Sequence, residues 1–242
     1  MNSISKIELL QNMIDDSNNI VFFGGAGVST DSGIKDFRSK DGLYNEKYKY
    51  PPEFMLSREC FDNLIDDFYD FYKNKMNCLD IEPNITHKYL KKLEDIGKLK
   101  AIITQNIDGL HQKAGSKKIY ELHGTIYKNN CIKCNKEYSA RYIFNSKKIP
   151  KCNCGGVIKP SVVLYGEPLP NDIYENSINA INSADMLIVA GTSLTVEPAS
   201  SLVKLFHGKY LVIINNDRTS YDNNANLVIK ENLGKVFSKL NI

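Results

Sequence analysis

Asn19-Ile20-Val21-Phe22-Phe23-Gly24-Gly25-Ala26-Gly27-Val28-Ser29-Thr30 is the segment that sets the architecture. An unbroken apolar run predicts a strand covered on both faces, and the glycines after it predict a tight turn. Strand, glycine turn and helix start together make the first unit of an α/β sheet. Such a loop lets backbone N–H groups approach a phosphate closely. The loop departs from the usual dehydrogenase fingerprint, because Thr30 stands at the third glycine position and no acidic residue closes a second strand about twenty positions on.

Elsewhere in the chain, short apolar runs recur at 99–104, 118–122, 186–190, 210–215 and 227–229. Between them lie helical patterns at 4–14, 57–76, 86–96, 171–183 and 198–208. This alternation predicts an α/β fold, a doubly wound, Rossmann-like parallel sheet. Residues 35–85 and 125–160 break the alternation and are expected to form a smaller helical and zinc-ribbon module from two insertions. Residues 1–34, 86–124 and 161–242 are expected to form the nucleotide-binding domain, with the ligand in a cleft between the two.

Polar residues cluster where such a sheet binds ligands, just past a strand end. Thr104 is followed by Gln105, Asn106, Ile107, Asp108 and Gly109, which offer amides, a carboxylate and room to turn but no strong nucleophile. His123, before Gly124 and after another short strand, is a candidate general base near neutral pH. His111 is expected to pack or cap, and His87 and His207 to be structural. Phe37 can shield a ring and Arg38 can hold a phosphate or carboxylate; the alternative places Phe37 in the core and Arg38 in a surface ion pair.

Four of the six cysteines follow at metal spacing: Cys131-x-x-Cys134, then Cys152-x-Cys154. Four thiolates fill a tetrahedral shell, so one structural zinc is expected rather than a catalytic one. The second pair is one residue short of the usual spacing, with Gly155-Gly156 supplying flexibility.

The chain of 242 residues is 42% hydrophobic and 24% charged, with a formal net charge of +3, as expected of a soluble globular protein. No run reaches the roughly 18 apolar residues of a membrane span, and the N-terminus lacks a signal-peptide core. No membrane association and a cytoplasmic location are therefore expected, where reduced thiols favour metal over disulfides. The mild charge, and a cysteine segment without a basic-aromatic stripe, argue against direct nucleic-acid binding.

Taken in order, Gly25-Ala26-Gly27-Val28-Ser29-Thr30, residues 33–39, 104–115, His123-Gly124, the cysteine pairs, residues 162–167 and Gly191-Thr192-Ser193-Leu194 resemble the sirtuins, NAD-dependent protein lysine deacylases. The resemblance implies that Ala26, Ile34, Phe37, Asn106, Ile107 and Asp108 line the nicotinamide and ribose pocket, with Asp108 reading the carboxamide, and that Gly25 and Gly27 of the glycine loop also bind the cofactor. It implies that Thr30, Arg38, Gln105, Gly191, Thr192, Ser193 and Asn215 hold phosphates and riboses. His123, Asn106 and Asp108 would be catalytic. The acyl-lysine oxygen would attack the nicotinamide ribose and expel nicotinamide, and His123 would accept a ribose hydroxyl proton. The products would be free lysine and O-acetyl-ADP-ribose.

Acetylated lysines of proteins would be the substrates, docked as an extended peptide on Val163, Tyr165, Gly166 and Glu167 by backbone hydrogen bonds. Family members that prefer succinyl or malonyl carry a Tyr and, three residues later, an Arg. Tyr69 matches the first, but Tyr72 stands in place of the arginine, so a neutral acyl group is expected. Lys35 replaces the proline of the family's Gly-Ile-Pro-Asp-Phe-Arg, which predicts a looser loop. Competing readings are a hydride-transferring dehydrogenase, a mono-ADP-ribosyltransferase or desuccinylase on the same scaffold, and a zinc-ribbon binding module.

Overall fold

The computed structural model of the protein describes residues 5–37 and 42–242. The strands in chain order are β1 (Ile20–Gly24), β2 (Leu99–Thr104), β3 (Ile119–Glu121), β4 (Gly124–Cys131), β5 (Glu137–Ser139), β6 (Ile158–Val162), β7 (Met186–Ala190), β8 (Tyr210–Ile214) and β9 (Leu227–Ile229). Six form one sheet in the order β3-β2-β1-β7-β8-β9, and every neighbouring pair is parallel. The order reverses between β1 and β7, so the loops leaving these two strands diverge at the switch point where such sheets bind ligands.

The unbroken apolar runs have a simple cause. Phe22, Ile102 and Ile188 face one core with Leu10, Leu90 and Phe237. Their successors Phe23, Ile103 and Val189 face the other, with Ile181 and Leu202. Both faces of the sheet are covered, which leaves no side for polar residues.

The remaining strands form an antiparallel sheet in the order β5-β4-β6. It shares a third core with the helix Ile65–Lys75, where Phe68, Tyr69 and Tyr72 pack with Ile126, Ile143 and Ile158. Residues from both predicted insertions therefore contribute to one hydrophobic cluster.

Local structure departs from expectation in three places. The pattern at 57–76 is two helices, Arg58–Asn63 and Ile65–Lys75, because the backbone at Leu64 leaves helical geometry (φ −132°, ψ 52°). The bend lets Phe61 and Phe68 meet edge to face at 5.2 Å. The glycine loop continues not into an α-helix but into two short 3-10 turns, Ala26–Val28 and Thr30–Ser32. The segment after Pro198 is likewise 3-10, Ala199–Leu205.

Candidate active site and metal cluster

The carboxyl ends of β1, β2, β3, β7 and β8 open on one cavity of about 750 Å³, closed on its far side by the small module. Ala26, Gly27, Thr30, Ile34 and Phe37 line it from the loop after β1, and Gln105, Asn106, Ile107 and Asp108 from the loop after β2. His123 enters behind β3, Gly191, Thr192 and Ser193 behind β7, and Asn215 behind β8. Val163, Tyr165, Gly166 and Glu167 form the opposite rim. Arg38 lies outside the described residues.

Gly25 does not line the cavity. A Cβ there would meet the Thr192 side chain at 2.7 Å, and one on Gly27 would meet the Gly191 Cα at 2.7 Å. These glycines let the β1 loop lie directly on the β7 loop, where Gly27 N–H donates to the Gly191 carbonyl at 2.8 Å. Asn84, capping the helix Ile85–Asp95, holds the loop from behind by donating to the Val28 carbonyl at 2.8 Å.

Ser29 had no assigned role in the sequence, yet it is the hub of the polar floor. Its hydroxyl donates to Asp108 Oδ2 at 2.6 Å and accepts from Asn106 Nδ2 at 3.0 Å. The Leu110 N–H donates to Asp108 Oδ1 at 2.9 Å. Burial pushes the Asp108 carboxyl above the usual range, and the Ser29 hydroxyl, the Leu110 N–H and the Asn106 amide pull against it. The clue available in sequence was a hydroxyl directly behind a glycine turn, where the chain cannot leave the site.

His123 donates its Nδ1–H to the Gln105 backbone carbonyl at 3.0 Å. A carbonyl can only accept, so Nδ1 carries the proton and Nε2 keeps its lone pair. Burial lowers the imidazole pKa, and the Gln105 contact partly offsets this. The result is a neutral ring at physiological pH, oriented as a base. The buried His87 and His111 lie apart from this chemistry, ring to ring at 4.7 Å.

On the rim, strand geometry stops at Val162, before the stretch that the resemblance assigns to peptide docking. The N–H groups of Val163, Leu164 and Tyr165 already donate to the His123 carbonyl, the Glu167 carboxylate and the Leu56 carbonyl. The Leu164 and Tyr165 carbonyls likewise accept from the Glu167 and Arg58 N–H groups, both at 2.9 Å, so much of the rim's backbone is already paired. Glu167 itself is bound to Lys159 at 3.1 Å and Arg58 at 3.3 Å, which makes it a brace of the rim.

Tyr69 requires a correction. It is 1% exposed, and its hydroxyl donates to the Ile158 carbonyl within the small-module core. Tyr72 is 0% exposed and stacks between Phe68 and Phe144. The helix turns this face inward, so neither ring reaches the cavity; Asn74, Lys75 and Met76 at its end do.

The sulfur atoms of Cys131, Cys134, Cys152 and Cys154 all lie within 4.8 Å of one another. Cys131 and Cys154 are 3.5 Å apart, Cys134 and Cys152 3.5 Å, and Cys134 and Cys154 3.4 Å. A zinc ion with bonds of about 2.3 Å sets tetrahedral sulfurs about 3.8 Å apart, so the donor set fits. The Lys133 N–H points at Cys131 Sγ and the Cys154 N–H at Cys152 Sγ, which favours thiolates. The short second pair closes because Gly155 is left-handed (φ 82°) and Gly156 has no Cβ, which would otherwise lie 2.7 Å from Cys131 Sγ.

The sequence profile of the Sir2 family matches residues 25–198. A Clostridium acetobutylicum protein named NAD-dependent protein deacetylase is 54% identical over 237 residues, covering 96% of this chain and 97% of that one. A Clostridium perfringens protein of the same name is 52% identical over 239 residues, covering 97% and 98%. A solved structure described as Sir2 with p53 peptide and NAD+ has a TM-score of 0.86 at 35% identity over 97% of both chains. Another, described as Sir2 bound to acetylated peptide, has a TM-score of 0.86 at 34% identity, again over 97% of both.

Proposed function

Because the chain belongs to the Sir2 family, we infer that it is an NAD-dependent protein deacetylase that releases nicotinamide, free lysine and O-acetyl-ADP-ribose. The observation that carries this reading is His123. It is a neutral imidazole in the cleft, its Nδ1–H committed to Gln105 and its Nε2 available to take a proton. A departing nicotinamide is already cationic in its bound form, so the site needs alignment and a base more than a nucleophile.

Asp108, held by Ser29 and the Leu110 N–H, offers an acceptor for the carboxamide; Asn106 is fixed beside it. Gln105 donates to the Thr192 hydroxyl at 3.2 Å, which sets both for the phosphate and ribose end. Residues 1–34, 86–124 and 161–242 serve as the cofactor-binding domain in this reading, and 35–85 with 125–160 as the small module. The zinc would be held by Cys131, Cys134, Cys152 and Cys154 and would supply structure, not chemistry.

Acetyl remains the favoured acyl group, on a new ground. Lys35 and Lys75 line the small-module side of the cleft, but both are engaged by Glu46, so neither is poised for an acyl carboxylate; Arg218 also lines the cavity, on the β8 side with Asn215. The test is an acetyl-lysine peptide with and without NAD, followed for free nicotinamide. Label left on the target protein would indicate ADP-ribosyl transfer instead, and equal rates on succinyl and acetyl peptides would overturn the acyl preference.

A further inference from the structure

Glu46 carries more contacts than any sequence pattern assigns it. One carboxylate oxygen accepts from Lys35 Nζ at 2.8 Å. The other accepts from Lys75 Nζ at 2.7 Å and from the Tyr48 hydroxyl at 2.6 Å. Lys35, then Lys75 and Tyr48, hold the carboxyl down to about 2, so it is ionised under all working conditions.

The partners have different anchors. Lys75 ends the helix Ile65–Lys75, which is fixed in the small-module core through Phe68 and Tyr72. The Tyr48 ring rests edge-on against Phe71 at 4.9 Å. Lys35, in contrast, sits in the cleft wall formed by residues 33–37. That wall begins at Gly33, which is left-handed (φ 90°) with no atom within 4 Å of where a Cβ would stand. An unpacked glycine holds the residues after it only through its backbone, here with the Ile34 N–H donating to the Ser29 carbonyl at 3.3 Å, so contacts further along the chain help to position the wall. Among them are the packing of Ile34 and Phe37 on the small-module core and two backbone bonds, Leu43 N–H to the Asp36 carbonyl and Tyr44 N–H to the Phe37 carbonyl, both at 2.9 Å. Lys35 to Glu46 is the ion pair that ties the wall to the helix Ile65–Lys75.

We propose that Glu46 is a positioning residue for the dinucleotide: it ties Lys35 to the Lys75–Tyr48 corner and so holds Ile34 and Phe37 in place for cofactor. This rests on the reading of that wall as the nicotinamide and ribose pocket. A single half-exposed ion pair contributes little, but a carboxylate already fixed by Lys75 and Tyr48 loses less freedom on engaging Lys35.

The test uses Glu46→Gln, Lys35→Met and the double variant in the full chain. Each single variant is expected to raise KM for NAD by about 2- to 5-fold with kcat essentially unchanged. The melting temperature should stay within about 2 °C. The double variant should raise KM no more than the larger single effect, because both single variants remove the Lys35–Glu46 pair. The ratio of KM between Glu46→Gln and the unmodified protein should shrink towards one at high salt. Unchanged KM, additive effects, or a joint fall in kcat and melting temperature would each overturn the proposal. Calorimetry on the unmodified protein separates the premise: no heat with NAD would remove the pocket reading itself.

Discussion

The Ser29 hydroxyl donates at 2.6 Å to Asp108, a carboxylate whose burial favours the protonated form. Ser29→Ala removes that donor and raises the Asp108 pKa further. A hydrogen bond to a charged group contributes about 1.5–3 kcal/mol, so kcat/KM should fall roughly 10- to 100-fold. Steady-state kinetics on an acetylated peptide measure it, and a loss under twofold would dismiss the role given to Ser29.

In the proposed reaction the His123 imidazole is the base for the ribose hydroxyl. His123→Ala should cut deacetylation by about 10²- to 10⁴-fold while NAD still binds by calorimetry. The His123 pKa lies below its ordinary value, so activity should rise with pH along an acid limb below about 6.5 and level off above it. A limb centred above 6.5, or an active alanine variant, would contradict the assignment.

Two imidazoles are buried where protons are unwelcome. Burial lowers His87 to about 4 and His111 well below its usual value, the latter also through its neighbour His87. Both are depressed relative to the unfolded chain, so their stabilising neutral form is intact above about 6.5. It is lost as pH falls from there towards 4, by up to about 1.4 kcal/mol per pH unit for each ring. Asp108 and Glu121, both raised by burial, act in the opposite sense. Denaturant midpoints across this range should therefore be compared with those of His111→Phe, which should show a shallower slope; an equal slope would clear the pair of responsibility.

Metal content should be one zinc per chain. Chelation or Cys134→Ser should lower the melting temperature by several degrees and abolish activity, because β4 joins Cys131 to Gly124 beside His123 and β6 leads into the cleft rim. A chelated protein with an unshifted melting curve and full turnover would refute the structural role.

Legibility in the sequence depended on which forces are local. The central strands β1 and β7 were legible because both faces of each are buried, as Phe22 and Phe23 illustrate by facing opposite cores, and the partly buried edge strands β3 and β9 showed as shorter apolar runs. The placement of His123 and residues 105–108 on the cleft was legible because a strand end beside a glycine has few places to point. Tyr69 was not. Spacing along a helix does not say which face meets which neighbour, and the bend at Leu64 turned that face into the core. Glu46 was invisible for a related reason, because its lysine partners lie 11 and 29 residues away and meet it only through the fold.

The pairing of β1 with β7 has a consequence for synthesis. Ile20–Gly24 emerges early from the ribosome, yet its neighbour Met186–Ala190 is made more than a hundred residues later. Until then one side of an entirely apolar ribbon stays open, a template for wrong partners. Nascent chains halted before residue 186 should accordingly be the most dependent on chaperones, and synthesis of Met186–Ala190 is the step that covers the open side of β1.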